Sequence, residues 1–226
     1  MNRTTSRAVK KVLLSMMVVG SLTFFTLAGT YAALNSETAN KNATVASGTL
    51  VLGNKVASGS TCFSYSATDN SNASCDALFS SAGLNYPGVA ATVDVTITNN
   101  GTVPASSLAV YMPSCTTVAS PGAPSPGGGD MCATGGPMMY IDESNSSFTS
   151  HSCVYPTTGG TCAFSANTLN YLAAVKNGPT STYPLPGTLA AGASRYFIIG
   201  MELPSTAANA LQGEAAQFDL TWNVSQ

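Results

Sequence analysis

In residues 91–98 (ATVDVTIT), Val93, Val95 and Ile97 share one face, and Thr92, Asp94, Thr96 and Thr98 share the other. Alternation with a period of two marks a half-buried strand. Asn99-Asn100-Gly101 follows and is a hairpin-type turn signal; residues 107–112 (SLAVYM) then resume a strand, so this stretch predicts a hairpin. Residues 217–226 (QFDLTWNVSQ) alternate equally well, with Phe218, Leu220, Trp222 and Val224 on one side. The only tryptophan lies on that apolar side and is expected to anchor a core. Residues 194–203 (SRYFIIGMEL) form an apolar, β-branched and aromatic run bounded by Ala191-Gly192 and Pro204, which predicts a central strand.

Weaker patterns predict strands at 49–52, 62–66 and 138–141. Residues 168–175 (TLNYLAAV) fit a strand or a helical turn, and 204–212 fit a helical turn before the last strand. Between Pro113 and Pro137 the density of Pro and Gly predicts a long irregular loop. Long amphipathic 3.6-residue patterns are absent. Many short strands punctuated by Gly, Pro and Asn imply an all-β antiparallel sandwich or barrel.

The chain's start has a different character. Arg3, Arg7, Lys10 and Lys11 precede a charge-free run from 12 to 28, and Thr30-Tyr31-Ala32 places small residues at −3 and −1 of a cut between Ala32 and Ala33. This is the layout of a signal peptide. The apolar run is slightly long for that role and slightly short for a membrane span of about 20 residues. Cleavage after Ala32 is the expectation; an uncleaved membrane anchor is the alternative. The division expected is a signal peptide at 1–32, an arm at 33–45 and a single β-sandwich domain at 46–226.

Charge then narrows the function. Charged residues are 8% of the chain, against roughly 25% in an ordinary soluble domain. Cleavage leaves four cations (Lys41, Lys55, Lys176, Arg195) and all ten acids, a net charge of −6. Such a chain carries no basic footprint for nucleic acid or anionic lipid. Membrane contact is expected only through an uncleaved signal segment.

All six cysteines (Cys62, Cys75, Cys115, Cys132, Cys153 and Cys162) follow the cut. An even number in an exported chain implies disulfides, with fifteen possible connectivities. Pairing nearest neighbours is the simplest: Cys62 with Cys75, Cys115 with Cys132, Cys153 with Cys162. The second pair would staple the long loop.

Signals for catalysis are weak. HExxH, GxSxG, a P-loop and CxxC are all absent, and His151 is the only histidine. Ser150 and Ser152 flank it in sequence, which does not make a triad, and an exposed loop histidine is expected. Asp142-Glu143 is expected to be a solvated strand end, because neighbouring strand residues point to opposite faces. Asp130, Asp142, Glu143 and Asp219 lack the spacing of a calcium loop. The expectation is a non-enzyme with no cofactor, no metal site and no catalytic residue.

Residues 29–52 (GTYAALNSETANKNATVASGTLVL) resemble the start of the TasA/camelysin family of biofilm-matrix proteins. Thr96 to Pro104 (TITNNGTVP) and Asn209 to Val224 (NALQGEAAQFDLTWNV) resemble two later elements of that family. The resemblance implies a jelly-roll sandwich, removal of the leader by a dedicated signal peptidase, and assembly into extracellular fibres by donation of an N-terminal strand. Carried onto this chain, Ala33 becomes the new N-terminus and 33–45 the donor strand, with Ala33, Leu34, Glu37, Ala43 and Val45 among its residues. The implied partners are further copies of the chain, the signal peptidase during export, and other matrix or cell-surface components. Some relatives are described as metalloproteases; this sequence offers no ligand set for a catalytic zinc, so that activity is not carried over. The expected fold is thus a jelly-roll-like sandwich with a disulfide-stapled loop insertion, and the expected localisation is outside the cell. Two other readings are a monomeric surface-displayed binding module, with loop 114–136 meeting a partner or glycan, and a secreted hydrolase such as a protease. Type IV pilins need a charge-free helix after the cut, whereas here it precedes it.

Overall fold

Strand-period patterns become strands along most of the chain's second part. The computed structural model describes residues 47–226 other than 67–71, 80–86 and 124, together with Lys11, Leu13 and Met16. The chain divides into two compact units, Met1–Ala46 and Ser47–Gln226. In the first, Lys11, Leu13 and Met16 are helical and exposed. The expected cleavage site at Ala32 and Ala33 and the expected arm residues Leu34, Glu37, Ala43 and Val45 lie outside the described residues, as does most of the expected signal segment. Among the described residues no helix is long and apolar enough to cross a membrane.

The second unit is an all-β antiparallel sandwich. Its strands are β1 (Leu52–Val56), β2 (Cys62–Phe63), β3 (Ala90–Asn99), β4 (Ser107–Ala119), β5 (Met138–Ser144), β6 (His151–Tyr155), β7 (Tyr183–Leu185), β8 (Ser194–Glu202) and β9 (Glu214–Ser225). One sheet has six strands in the order β2-β1-β3-β8-β5-β6; the other has three, β7-β4-β9. Alternation sends Val95 and Ile97 of β3, Ile141 of β5 and Phe197 and Ile199 of β8 into the space between the layers. Leu108, Val110 and Met112 of β4 and Trp222 of β9 meet them from the other side. As the pattern implied, β8 is central, between β3 and β5.

The expected hairpin at 91–112 does not form. β3 pairs with β1 and β8, while β4 pairs with β7 and β9 in the opposite layer. Asn99-Asn100-Gly101 is a corner between layers. Asn99 is buried; its Nδ2 donates to the carbonyls of Val103 (2.9 Å) and Leu189 (3.1 Å), and its Oδ1 accepts from the Gly101 N–H (3.0 Å). A Cβ on Gly101 would collide with the backbone of Thr49 and Val51, so glycine is needed here for close approach rather than for a hairpin turn. Alternation tells which face of a strand is buried, but not which strand lies beside it.

Other boundaries shift. β1 begins at Leu52 instead of Thr49, and the segment at 62–66 is a two-residue strand followed by the 3₁₀ turn Ser64–Ser66. The ambiguous 168–175 is an α-helix that buries Leu169 and Leu172, three apart on one face. Thr168 Oγ1 accepts a 2.6 Å bond from the Met139 N–H, which ties the helix start to β5. Residues Asn209–Leu211 form a 3₁₀ turn. The first part of the expected loop is strand, because β4 runs on to Ala119. A register irregularity between Tyr111 and Ser114 accommodates Pro113, whose missing N–H is tolerated at such a bulge. Beyond Ala119 the loop folds back, donating from Gly127 N–H to the Gln212 carbonyl and from Gly129 N–H to the Ala210 carbonyl (2.8 Å each). The three disulfides join Cys62–Cys75, Cys115–Cys132 and Cys153–Cys162, each pair near in sequence. Each closes a loop of the size that stabilises by about 2–3 kcal/mol.

Candidate functional site

A two-layer sandwich has four outer edges, and an edge strand presents unpaired main-chain donors and acceptors. Three of these are short or covered. β2 is two residues long, and Asn72 Nδ2 donates to the Phe63 carbonyl beside it (3.0 Å). β7 has three residues, one of them Pro184. β6 is sealed by its own loop: the Cys153 N–H donates to the Gly160 carbonyl (2.9 Å), and the Gly159 N–H donates to the Cys153 carbonyl (2.7 Å). The fourth edge is β9. It has twelve residues, and among the described residues its only strand partner is β4.

A groove of about 1250 Å³ runs along that edge. Its β9 wall carries Phe218, Leu220, Trp222 and Val224, the alternating apolar set of the sequence. Trp222 alone of the four is buried, at 7% exposure; the others are half-buried. The facing wall comes from Leu52 at the start of β1, from Leu50 just before it, and from Leu78 and Phe79. The Cys62–Cys75 bridge also lines the groove, linking β2 to the segment that leads to Leu78 and Phe79. Among the described residues, two groove-lining side chains hold buried polar atoms without a hydrogen-bond partner, Trp222 Nε1 and Asn54 Oδ1. Six strands therefore face three, and the gap left by the smaller layer is lined by these apolar side chains together with polar ones such as Asn54, Asn72 and Asp76.

A scan against protein-family models finds no match, and a search of curated proteins finds none either.

The anticipated solvated strand end at Asp142-Glu143 is corrected. Asp142 is buried at 4% exposure, and its Oδ2 lies 3.7 Å from His151 Nδ1. Glu143 points the other way and takes a two-pronged bond from Arg195, at 2.7 Å from both Nε and Nη2. Arg195 also donates to the Pro186 carbonyl (2.6 Å) and covers the Phe197 ring. His151 is exposed as expected, but it opens strand β6 rather than sitting in a loop. The other two acids are dispersed: Asp130 accepts from Thr117 and from the Cys132 N–H, and Asp219 accepts from Ser114. Four acids that gather at no common point have no geometry for a calcium ion.

Burial pushes the Asp142 carboxyl above its ordinary range; the nearby His151 imidazole and the Cys162 backbone N–H only partly oppose this. The folded state thus prefers the protonated acid. Its contribution to stability is present below the unfolded carboxylate value and is lost as pH rises through the folded value. Asp142→Asn is expected to remove that loss. In urea titrations between acid and neutral pH, the variant gains on the parent protein as pH rises. A parallel pH profile for the two proteins would reject this account.

Sequence reasoning found the β9 wall but missed Asn54, Leu78 and Phe79. Leu78 and Phe79 are an isolated apolar pair with no periodic neighbours, so only their proximity to Cys75 hinted at a fixed position.

Proposed function

We propose that this chain is an exported structural subunit, of the TasA/camelysin kind, that builds extracellular fibres by lending residues 33–45 to the β9 edge of the next copy. The observation that carries the reading is the twelve-residue edge of β9, which among the described residues pairs only with β4, above a groove with apolar walls. Strand addition at such an edge draws affinity from main-chain hydrogen bonds and register from alternate side chains in pockets. The lengths match. Thirteen residues of arm extend over roughly 43 Å and β9 over roughly 40 Å, at about 3.3 Å per residue. Leu34 and Val45 supply apolar anchors near the two ends of the arm. The contact is head-to-tail and propagates without closing. Three disulfides fit an oxidising environment and support export.

Mature protein starting at Ala33 is expected to form filaments visible by negative-stain microscopy. The same protein lacking 33–45 is expected to elute as a soluble, folded monomer. Equal assembly by the two proteins would reject strand donation. A full-length mature protein that stays monomeric at high concentration would favour a surface-displayed binding module instead.

A further inference from the structure

On the opposite flank from the groove, β5, β6 and the loop after them bring together three groups that bind metals in other settings, with a fourth, His151, beside one of them. The Asp142 carboxylate and the sulfurs of Cys153 and Cys162 each offer an atom within 4.8 Å of the others. His151 Nδ1 lies 3.7 Å from Asp142 Oδ2. Register fixes the arrangement: Asp142 stands opposite Cys153 in the β5–β6 ladder, next to a bulge at Ile141/Asp142. Asp142 is 4% exposed, yet its Oδ1 has no hydrogen-bond partner among the described residues. A buried carboxylate oxygen without a donor is costly unless a cation or proton reaches it.

While the bridge is closed, neither sulfur is a thiolate, and two ligands remain. We propose that reduction of Cys153–Cys162 by a small thiol converts this cluster into a divalent-metal site suited to zinc, held by both cysteine thiolates, Asp142 and His151. Two thiols give up their protons and electrons, form one external disulfide and leave two cysteine thiols. The arriving metal ion displaces both cysteine protons and is bound by three anionic ligands and one neutral imidazole. Soft sulfur with imidazole and carboxylate is the donor set of tetrahedral zinc. Zinc–ligand distances of that kind put ligand atoms roughly 3.3–3.8 Å apart, so the Asp142 and sulfur atoms, within 4.8 Å of one another, close in by about 1.5 Å at most, and His151, which lies outside that set, swings in from beside Asp142. The sulfurs themselves must separate, and the loop that carries Cys162 has glycines at 159 and 160 with positive φ, which gives it conformational latitude. In the metal-free reduced state the carbonyls of Tyr155 and Ile141, at 3.2 and 3.4 Å from Cys162 Sγ, can accept its thiol proton. The ligands come from scattered positions with no CxxC spacing, so the sequence pointed to no metal site.

Alkylation of the reduced mature protein with iodoacetamide, with and without zinc, tests this when each cysteine is followed by peptide mass spectrometry. Zinc is expected to slow alkylation of Cys153 and Cys162 by about tenfold or more, and to leave Cys62, Cys75, Cys115 and Cys132 unchanged. Asp142→Asn and His151→Ala are each expected to weaken that protection by about tenfold or more. Cobalt added to the reduced protein is expected to give sulfur-to-metal absorption at one equivalent, and to give none with the oxidised protein. Equal protection of all six cysteines, protection of none, or full protection in the Asp142→Asn variant would each overturn the proposal. A reduced chain too unfolded to assemble the site gives no selective protection and counts against it.

Discussion

Leu220→Arg is expected to suppress the proposed fibre growth while the monomer stays folded. Leu220 is half-buried on the inward face of β9, between Phe218 and Trp222, and lines the groove. In the free monomer a guanidinium there can bend toward water along its aliphatic stem. A docked strand removes that escape and leaves an unpaired charge against apolar side chains, which costs several kcal/mol. The critical concentration for assembly is expected to rise on the order of 100-fold, equivalent to about 2.7 kcal/mol. Sedimentation of polymer from monomer measures it, with circular dichroism reporting the fold. Thr116→Arg, on an exposed position of β4, serves as the matched control and leaves assembly unchanged. Wild-type polymer yield from a folded Leu220→Arg protein would show that the groove receives no strand.

Trp222→Ala has the largest expected effect on stability. Its ring sits 4.9 Å from that of Phe197, so β9 of the small sheet and β8 of the large one meet through this pair. Truncating a buried tryptophan costs about 3–5 kcal/mol, from lost transfer energy and the cavity left behind. The ring it packs against, Phe197, is fully buried. Urea unfolding followed by circular dichroism gives the difference directly, since the variant has no tryptophan fluorescence. Trp222→Phe retains a ring and is expected to lose less than half as much. A loss under about 1 kcal/mol for the alanine variant would mean that the layers are held elsewhere.

Period-two alternation made β3 and β9 legible, and continuous apolar character did the same for β8. Each signal reports burial, and burial is what those strands share. Strand partnership was not legible, because Asn99-Asn100-Gly101 fits a tight turn and a corner between layers equally well. β6 was hidden for a related reason: His151 and Ser152 are exposed and only Cys153, Val154 and Tyr155 are buried, so no alternation develops over its five residues. The helix at 168–175 is too short to display a helical period, and its first turn is secured by Thr168 to β5 rather than by a sequence-evident cap. At the candidate site, the β9 wall followed from the same alternation that defines the strand. The facing wall depends on a disulfide and on segments far apart in sequence. Asp142 was misjudged because strand periodicity indicates which way a side chain points, but not that a neighbouring bridge and loop cover it.

The seal on β6 has a consequence for the shape of any assembly. Cys153 exchanges both of its main-chain bonds with Gly159 and Gly160, and the adjoining bridge pins that loop in place. A molecule arriving from this flank finds no open ladder to extend. If copies join through β9 as proposed, this flank offers no second ladder at Cys153, and growth is expected to give slender threads instead of broad ribbons.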